Sequence, residues 1–298
     1  MGMLDELKQV VSHISTDEPM KNHTSFKIGG PADYLIEAEN TEQVPRILAI
    51  LRQYGVPYII MGNGSNMLVR DEGIRGAVVK VSGLTSACAA EGCTLRAEAG
   101  ILLSRLSTVA LKHELTGLEF ASGIPGTLGG GIFMNAGAYG GELKNVVRKV
   151  TYADEEGNVK TAEGVELDFG YRKSMFTGRR CVILSAELEL APGHYEDIRV
   201  LIADYTKRRT EKQPLAMPSA GSVFKRPEGH FAGGLIEAAG LKCYTIGGAM
   251  VSGKHAGFIV NKGGATAKDV LDLIAFIQKT VEEKFSVRLE PEIKVIGG

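Results

Sequence analysis

What this chain does without narrows its function before any motif is read. Its 298 residues carry 34 Lys and Arg against 35 Asp and Glu, a formal net charge of −1. That balance leaves no electrostatic footprint for nucleic acid, and no nucleic-acid partner is expected. The densest basic cluster, Lys207-Arg208-Arg209 with Lys212, closes an amphipathic segment and reads as a helix C-terminus. No stretch approaches the roughly 18 uncharged apolar residues of a membrane-spanning helix. The start, MGMLDELKQVV, is charged and helical in period, which reads against a signal peptide. Four cysteines (88, 93, 181 and 243) form no CxxC pair and have no histidines at zinc-finger spacing. They read as free thiols in a reducing compartment, and no metal site is expected. GxGxxG fails at 62–67 because Met67 holds the last glycine position, and GxxxxGK[ST] is absent. No internal repeat is visible.

What is there is glycine, and it is concentrated. The segment 122–140, SGIPGTLGGGIFMNAGAYG, holds seven glycines, at 123, 126, 129, 130, 131, 137 and 140. A dense run costs backbone entropy unless the chain needs a left-handed conformation or close approach to something. Ile124, Leu128, Ile132, Phe133 and Met134 want burial, so this is not linker. Two readings stand: backbone N–H groups turned toward an anion, or a tight packing corner. A second glycine turn, Gly62-Asn63-Gly64-Ser65-Asn66, follows a short apolar strand at 57–61 and precedes Met67-Leu68-Val69. It suits a phosphate, and it is also ordinary turn chemistry.

With 44% hydrophobic and 23% charged residues the chain has an ordinary globular composition, enough for two or three domains. Periodicity predicts a first helix carrying Leu4, Leu7, Val10, Val11 and Ile14, a loop at 19–30 and a strand at 33–38. Helices follow at 41–54 and at 101–115, the latter with Leu102, Leu106, Val109 and Ala110 on one face. Strands are expected within 77–100, a hairpin at 147–153 and 158–162, and a strand at 181–190. A helix at 196–209 leads to a boundary near Pro214 and Pro218. Beyond it come a short helix at 234–239, a strand at 255–261 and a capped helix from Thr266 with Val270, Ile274, Ile277 and Val281 inward. A last strand spans 288–296. Strands and helices mix without strict alternation, so the fold class is α+β.

Seven ordered motifs carry a family resemblance over essentially the whole chain: NHTSFKIGGPA (22–32), GNGSNMLV (62–69), SGIPGTLGGGIFMNAGAYG (122–140), YRKSMF (171–176), PSAGSVFKRP (218–227), AGGLIEAAGL (232–241) and HAGFIVN (255–261). With a closing Leu289-Glu290-Pro291-Glu292, the chain resembles the UDP-N-acetylenolpyruvoylglucosamine reductase family in its shorter subtype, which lacks an inserted substrate-covering loop. The resemblance implies a cytoplasmic FAD enzyme of peptidoglycan precursor synthesis, expected to be a monomer. It implies the two-subdomain FAD-binding fold of the vanillyl-alcohol-oxidase (PCMH) type, with subdomains at 1–80 and 81–212, plus a smaller UDP-sugar-binding α+β domain at 213–298. NADPH is the implied co-substrate and UDP-N-acetylglucosamine enolpyruvate the substrate, with hydride passing through the flavin N5 to C3 and a proton to C2.

Carried over residue by residue, the resemblance makes Ser222 the proton donor, Arg172 the partner of the substrate carboxylate and Glu292 the assisting acid. It places Gly62, Asn63, Gly64, Ser65 and Asn66 at the FAD pyrophosphate. Ser122, Gly123, Gly126, Thr127, Gly130, Ile132 and Gly137 would run along the diphosphate and ring. Lys225 and Arg226 would meet the UDP phosphates, with Lys254 and His255 as lesser candidates. The residues alone say less. Ser222 beside Gly221 reads as a turn former and Arg172 as a solvated loop arginine. Leu289, Pro291, Ile293 and Val295 alternate with charged residues, which would turn Glu292 to water unless that polar face lines the site. Three rivals remain open: an alcohol- or sugar-oxidising flavoenzyme of the same fold, a nucleotide-binding protein without turnover, and a magnesium-dependent phosphate-transfer enzyme.

Overall fold

The computed structural model describes residues 2–85 and 87–298, which divide into two units. The first comprises Met1–Thr16, Tyr34–Asn63 and Gly76–Arg208; the second comprises Asp17–Asp33, Gly64–Arg75 and Arg209–Gly298. They group the chain differently from the expected 1–80, 81–212 and 213–298. None of the helices among the described residues is long and apolar enough to cross a membrane.

In the first unit, helices α1 (Met3–Leu7) and α2 (Gln43–Gln53) share a core with Ile36, Ala77 and Val79, from the parts of the strands Pro31–Glu37 and Ile74–Lys80 that lie in it. Val44, Ile47, Leu48 and Leu51 put α2's buried residues at spacings of three, one and three, and Gly55 turns the chain out at φ 64°. The expected single helix through Ile14 does not form. α1 ends at Leu7 and His13–Pro19 is a strand at the edge of a four-stranded sheet. The β-branched residues of 10–16 lose rotamer freedom in a helix and sit well in a strand, and Val10 and Val11 are buried all the same.

A second, five-stranded sheet orders Val159–Glu163, Val147–Ala153, Val182–Glu189, Thr94–Glu98 and Cys88–Glu91, all antiparallel. Helix α3 (Leu103–Lys112) packs in its core through Leu103, Leu106 and Ala110. The expected face is displaced at its start: Leu102 is 42% exposed at the N-cap, and Leu103 takes its place. Helix α4 (Leu128–Phe133) lies inside the glycine-rich segment, where no helix is expected. Helix α5 (Tyr195–Lys212) follows, with Ile198 alone fully buried.

The second unit holds α6 (Ala232–Ala238), α7 (Ala267–Phe285) and a three-stranded antiparallel sheet, Thr245–Ile246, Ala249–Val251 and Ile259–Asn261. Its core joins Val223, Phe224, Ile236 and Val251 to the inward face of α7, which is Val270, Leu273, Ile274, Ile277 and Val281. Segments from far upstream belong to it because they bond to it. Met67–Val69 pairs in parallel with Lys294–Ile296, and the buried Asn261 amide donates to Phe26 O at 3.2 Å. The Asp71 carboxylate accepts the Ala267 and Lys268 N–H groups at 2.8 and 2.9 Å. The last strand is shorter than expected. Residues 288–293 hold an isolated antiparallel bridge, Pro291 to Phe224, rather than a full strand, and Leu289 and Ile293 are the buried residues, four apart.

The N-terminus of α7 is thus capped twice, by its own Thr266–Asp269 box and by Asp71. Replacing Asp71 by alanine strands two helix N–H groups. The expected cost is about 1–2 kcal/mol, read as a lower urea midpoint at unchanged slope. An unchanged midpoint would show that the box alone suffices.

Candidate functional site

The two glycine segments meet in the first unit. The strand Tyr58–Met61 delivers Gly62 against Thr127: a Cβ on Gly62 would lie 2.5 Å from Thr127 Oγ1. One residue on, the Asn63 amide donates to Pro125 O at 2.8 Å. Thr127 is the N-cap of α4, its hydroxyl accepting from Gly130 N at 3.5 Å, and it is 2% exposed.

The glycines of α4 divide between the two readings. A Cβ on Gly129 would sit 3.0 Å from Ala99 Cβ, and one on Gly131 would sit 2.8 Å from Leu143 Cδ1. Gly129 lets α4 pack close to Ala99 and Gly131 lets it pack close to Leu143 and Leu103, which offsets the roughly 1 kcal/mol that glycine costs within a helix. Gly130 points outward, exposed, with only the Thr127 hydroxyl near it, so packing does not require it. Ile132 is fully buried, which leaves only its backbone for a ligand. Gly137 pairs with Glu142, and the Gly126 carbonyl accepts from Leu103 N at 3.0 Å. Gly123 is half-buried.

Among the described residues the buried side-chain oxygens without a hydrogen-bond partner are Tyr58 Oη, Ser107 Oγ and Ser122 Oγ. Buried hydroxyls are normally satisfied. Ser122, alone of the three, lies in a glycine segment, and its orphaned hydroxyl fits a polar ligand held there.

The remainder of the first loop belongs to the second unit. Gly64 is buried at φ 59°, and its carbonyl accepts from Ser25 N at 3.2 Å. Ser65 is half-buried. The Asn66 carbonyl accepts from Lys294 N at 2.9 Å and its amide reaches Glu292 O at 3.4 Å.

Also in the second unit, residues 222–225 lie between two other segments. Val223 N donates to Gly257 O at 2.9 Å and Ser222 bridges to Phe258. From the other side, Glu292 N donates to Val223 O at 2.7 Å and Lys225 N to Glu290 O at 2.8 Å. Ser222 and Glu292, 70 positions apart, therefore flank the same residue, Val223. The Ser222 hydroxyl is only loosely held, donating at 3.3 Å to the carbonyl of Phe224. Glu292 is half-buried rather than turned to water, next to the bridge that Pro291 makes to Phe224.

Both expected UDP cations are engaged. Lys225 Nζ pairs with Glu290 at 2.9 Å and holds that carboxylate below its usual range. Arg226 lies 4.0 Å over the Phe231 ring and donates to His230 O. Lys254 Nζ donates to Thr210 O. His255 Nδ1 accepts from Gly257 N at 3.0 Å, and burial pushes its pKa down.

Arg172 belongs to the first unit. It occupies a two-residue turn closed by reciprocal bonds between Gly170 and Lys173, at φ 54°, with its guanidinium 5.1 Å from the Tyr171 ring centre. Two residues that the sequence reading did not single out tie this turn to the glycine segment. The Asn135 amide donates to Gly170 O at 3.0 Å and the Ser174 hydroxyl to Phe133 O at 2.9 Å. The only signal for Asn135 was an asparagine among glycines, the residue type that best tolerates a left-handed backbone after glycine itself.

The chain is similar to known proteins over nearly its whole length. The family model of an FAD binding domain matches residues 32–163, and that of the UDP-N-acetylenolpyruvoylglucosamine reductase C-terminal domain matches residues 213–296. A UDP-N-acetylenolpyruvoylglucosamine reductase of Caldanaerobacter subterraneus subsp. tengcongensis is 53% identical over 297 residues, 99% of this chain and 98% of its own. One from Clostridium perfringens is 52% identical over 284 residues, 95% of this chain and 93% of its own. The crystal structure of the Thermus caldophilus reductase superposes with a TM-score of 0.81 at 35% identity, covering 95% of this chain and 98% of that one. The grass pollen allergen Phl p 4, which has glucose dehydrogenase activity, shares the fold alone: TM-score 0.52 at 16% identity, over 65% of this chain and 45% of its own. The expected α+β architecture is borne out, an FAD-binding fold of the vanillyl-alcohol-oxidase type with a smaller C-terminal α+β domain.

Proposed function

Because the chain belongs to the UDP-N-acetylenolpyruvoylglucosamine reductase family, whose members are FAD oxidoreductases, we propose that it reduces UDP-N-acetylglucosamine enolpyruvate to UDP-N-acetylmuramate at the expense of NADPH. The observation that carries this reading is the convergence of Ser222 and Glu292 on Val223, inside the segment that matches the reductase C-terminal domain. The orphaned Ser122 hydroxyl supports a ligand on the glycine segments of the first unit, where Gly62, Asn63, Thr127 and Gly130 would hold the FAD diphosphate.

When bound, FAD would supply the redox chemistry, hydride transfer from NADPH to C3 of the enolpyruvyl group. The protein's own task follows from the charge that this leaves at C2 and on the neighbouring carboxylate. Fixed donors aimed at developing charge contribute more than any other single device in many enzymes. Arg172 is suited to it, since a planar guanidinium meets a carboxylate through two parallel N–H bonds. Ser222 gives the proton to C2. Its hydroxyl hydrogen is held only by a long bond to its own chain, so little is lost when it turns toward substrate. Glu292 assists as the neighbouring acid.

The test is flavin absorbance under anaerobic conditions. The purified protein is expected to bleach on addition of NADPH and to recover its oxidised spectrum when UDP-N-acetylglucosamine enolpyruvate follows. Bleaching without sugar-driven recovery would overturn the substrate, and a protein without flavin would overturn the cofactor.

A further inference from the structure

We propose that Asn135 is a positioning residue for Arg172, setting the place of the guanidinium through the backbone turn that carries it. The inference rests on the reading of Arg172 as the carboxylate partner.

Arg172 is held at φ 54° in the turn that Gly170 and Lys173 close with bonds of 2.9 and 3.3 Å. A left-handed backbone at a non-glycine residue persists where its surroundings over-determine it. Here they do. The Asn135 side chain is 1% exposed and uses its carbonyl and both directions of its amide. Nδ2 donates to Gly170 O at 3.0 Å and to Glu142 Oε2 at 2.7 Å, while Oδ1 accepts from Lys144 N at 2.9 Å. Glu142 is itself fixed, its other oxygen pairing with Lys144 Nζ at 2.6 Å. At the far end of the turn Ser174, also 1% exposed, donates to Phe133 O at 2.9 Å.

The residues that bracket Arg172 are therefore both bonded to 133–135, the C-terminal end of α4 and the residues just past it. A tilt of the turn is magnified at the end of a long arginine side chain, and a misplacement of about 1 Å can cost about 10²-fold in rate. An amide is required at 135. A carboxylate keeps the acceptor for Lys144 but sets an oxygen against Glu142 and the Gly170 carbonyl.

Asn135→Asp is the informative variant, because it is nearly isosteric and tolerates Asn135's own φ of 43°. Its two half-reactions are compared with those of Arg172→Ala and of the double variant. We expect flavin content and NADPH reduction within about threefold of wild type, and sugar-driven reoxidation slowed about 10- to 100-fold. The double variant should be no slower than Arg172→Ala alone, since Asn135 acts through Arg172. Losses that multiply, or reoxidation at the wild-type rate in Asn135→Asp, would overturn the proposal. Wild-type reoxidation in Arg172→Ala would instead overturn the reading of Arg172, and this proposal with it. Should Asn135→Asp fail to fold, Ser174→Ala releases the other end of the turn and must show the same non-additivity for the proposal to stand.

Discussion

Ser222→Ala is expected to leave reduction by NADPH within about threefold of wild type and to slow reoxidation by the sugar substrate about 10²- to 10⁴-fold. The split follows from where the hydroxyl stands. Ser222 lies against Phe258 on one side and is the neighbour of Val223, the partner of Glu292, on the other. If Ser222 is the proton donor, its loss should remove that proton and leave the flavin content unchanged. Folding should be untouched, because the hydroxyl makes only the 3.3 Å bond to Phe224 O. Ser222→Cys should retain more activity than alanine, since a thiol can still release a proton. Stopped-flow measurement of each half-reaction decides it: equal slowing of both would remove Ser222 from the proton-donor role.

Much of the fold was legible because periodicity reports burial directly. Helix α2 lies within the expected 41–54, the buried stripe of α7 stands where spacing put it, and the hairpin Val147–Ala153 with Val159–Glu163 is where its turn residues put it. The failures came where one burial pattern fits two backbones. Val10 and Val11 are buried as expected, but beside a strand rather than within a helix. Leu289 and Ile293 are buried, yet the alternation that made 288–293 look like a strand does not decide its backbone, and with the strand went the argument for a solvated Glu292.

Glycine was the harder letter to read. The same residue serves packing at 129 and 131 and leaves an open backbone at 130, and composition cannot tell these apart, because the difference lies in what Ala99, Leu103 and Leu143 bring from elsewhere in the chain. Asn135 was invisible for a related reason. Its three bonds reach Glu142, Lys144 and Gly170, so its role exists only once those segments have come together. Ser222 and Arg172 look like ordinary loop residues in sequence, and only whole motifs singled them out.

Gly62→Ala should separate packing from binding at the point where the glycine segments touch. The added methyl would lie 2.5 Å from Thr127 Oγ1, closer than any contact of its kind can be. Thr127 has little freedom to yield, being 2% exposed and committed to the N-cap of α4. The loop must move instead, and the bond from Asn63 to Pro125 O at 2.8 Å moves with it. Overpacking of this kind costs about 1–3 kcal/mol and the lost hydrogen bond about 0.5–1.5 kcal/mol. Expressed in affinity for FAD, that is about 10- to 10³-fold, since each 1.4 kcal/mol is about tenfold. The variant should purify largely without flavin while its far-ultraviolet circular dichroism stays that of the wild type. The second substitution is decisive. Thr127→Ala removes the colliding oxygen at a capping cost of about 1 kcal/mol, and every other heavy atom of Thr127 near the new methyl is at least 3.6 Å away. Gly62→Ala/Thr127→Ala should therefore bind FAD more tightly than Gly62→Ala does, a rescue that arises only if the two segments jointly shape the cofactor site. A double variant that binds no better than the single one, or a single variant with its full flavin, would return these glycines to packing alone.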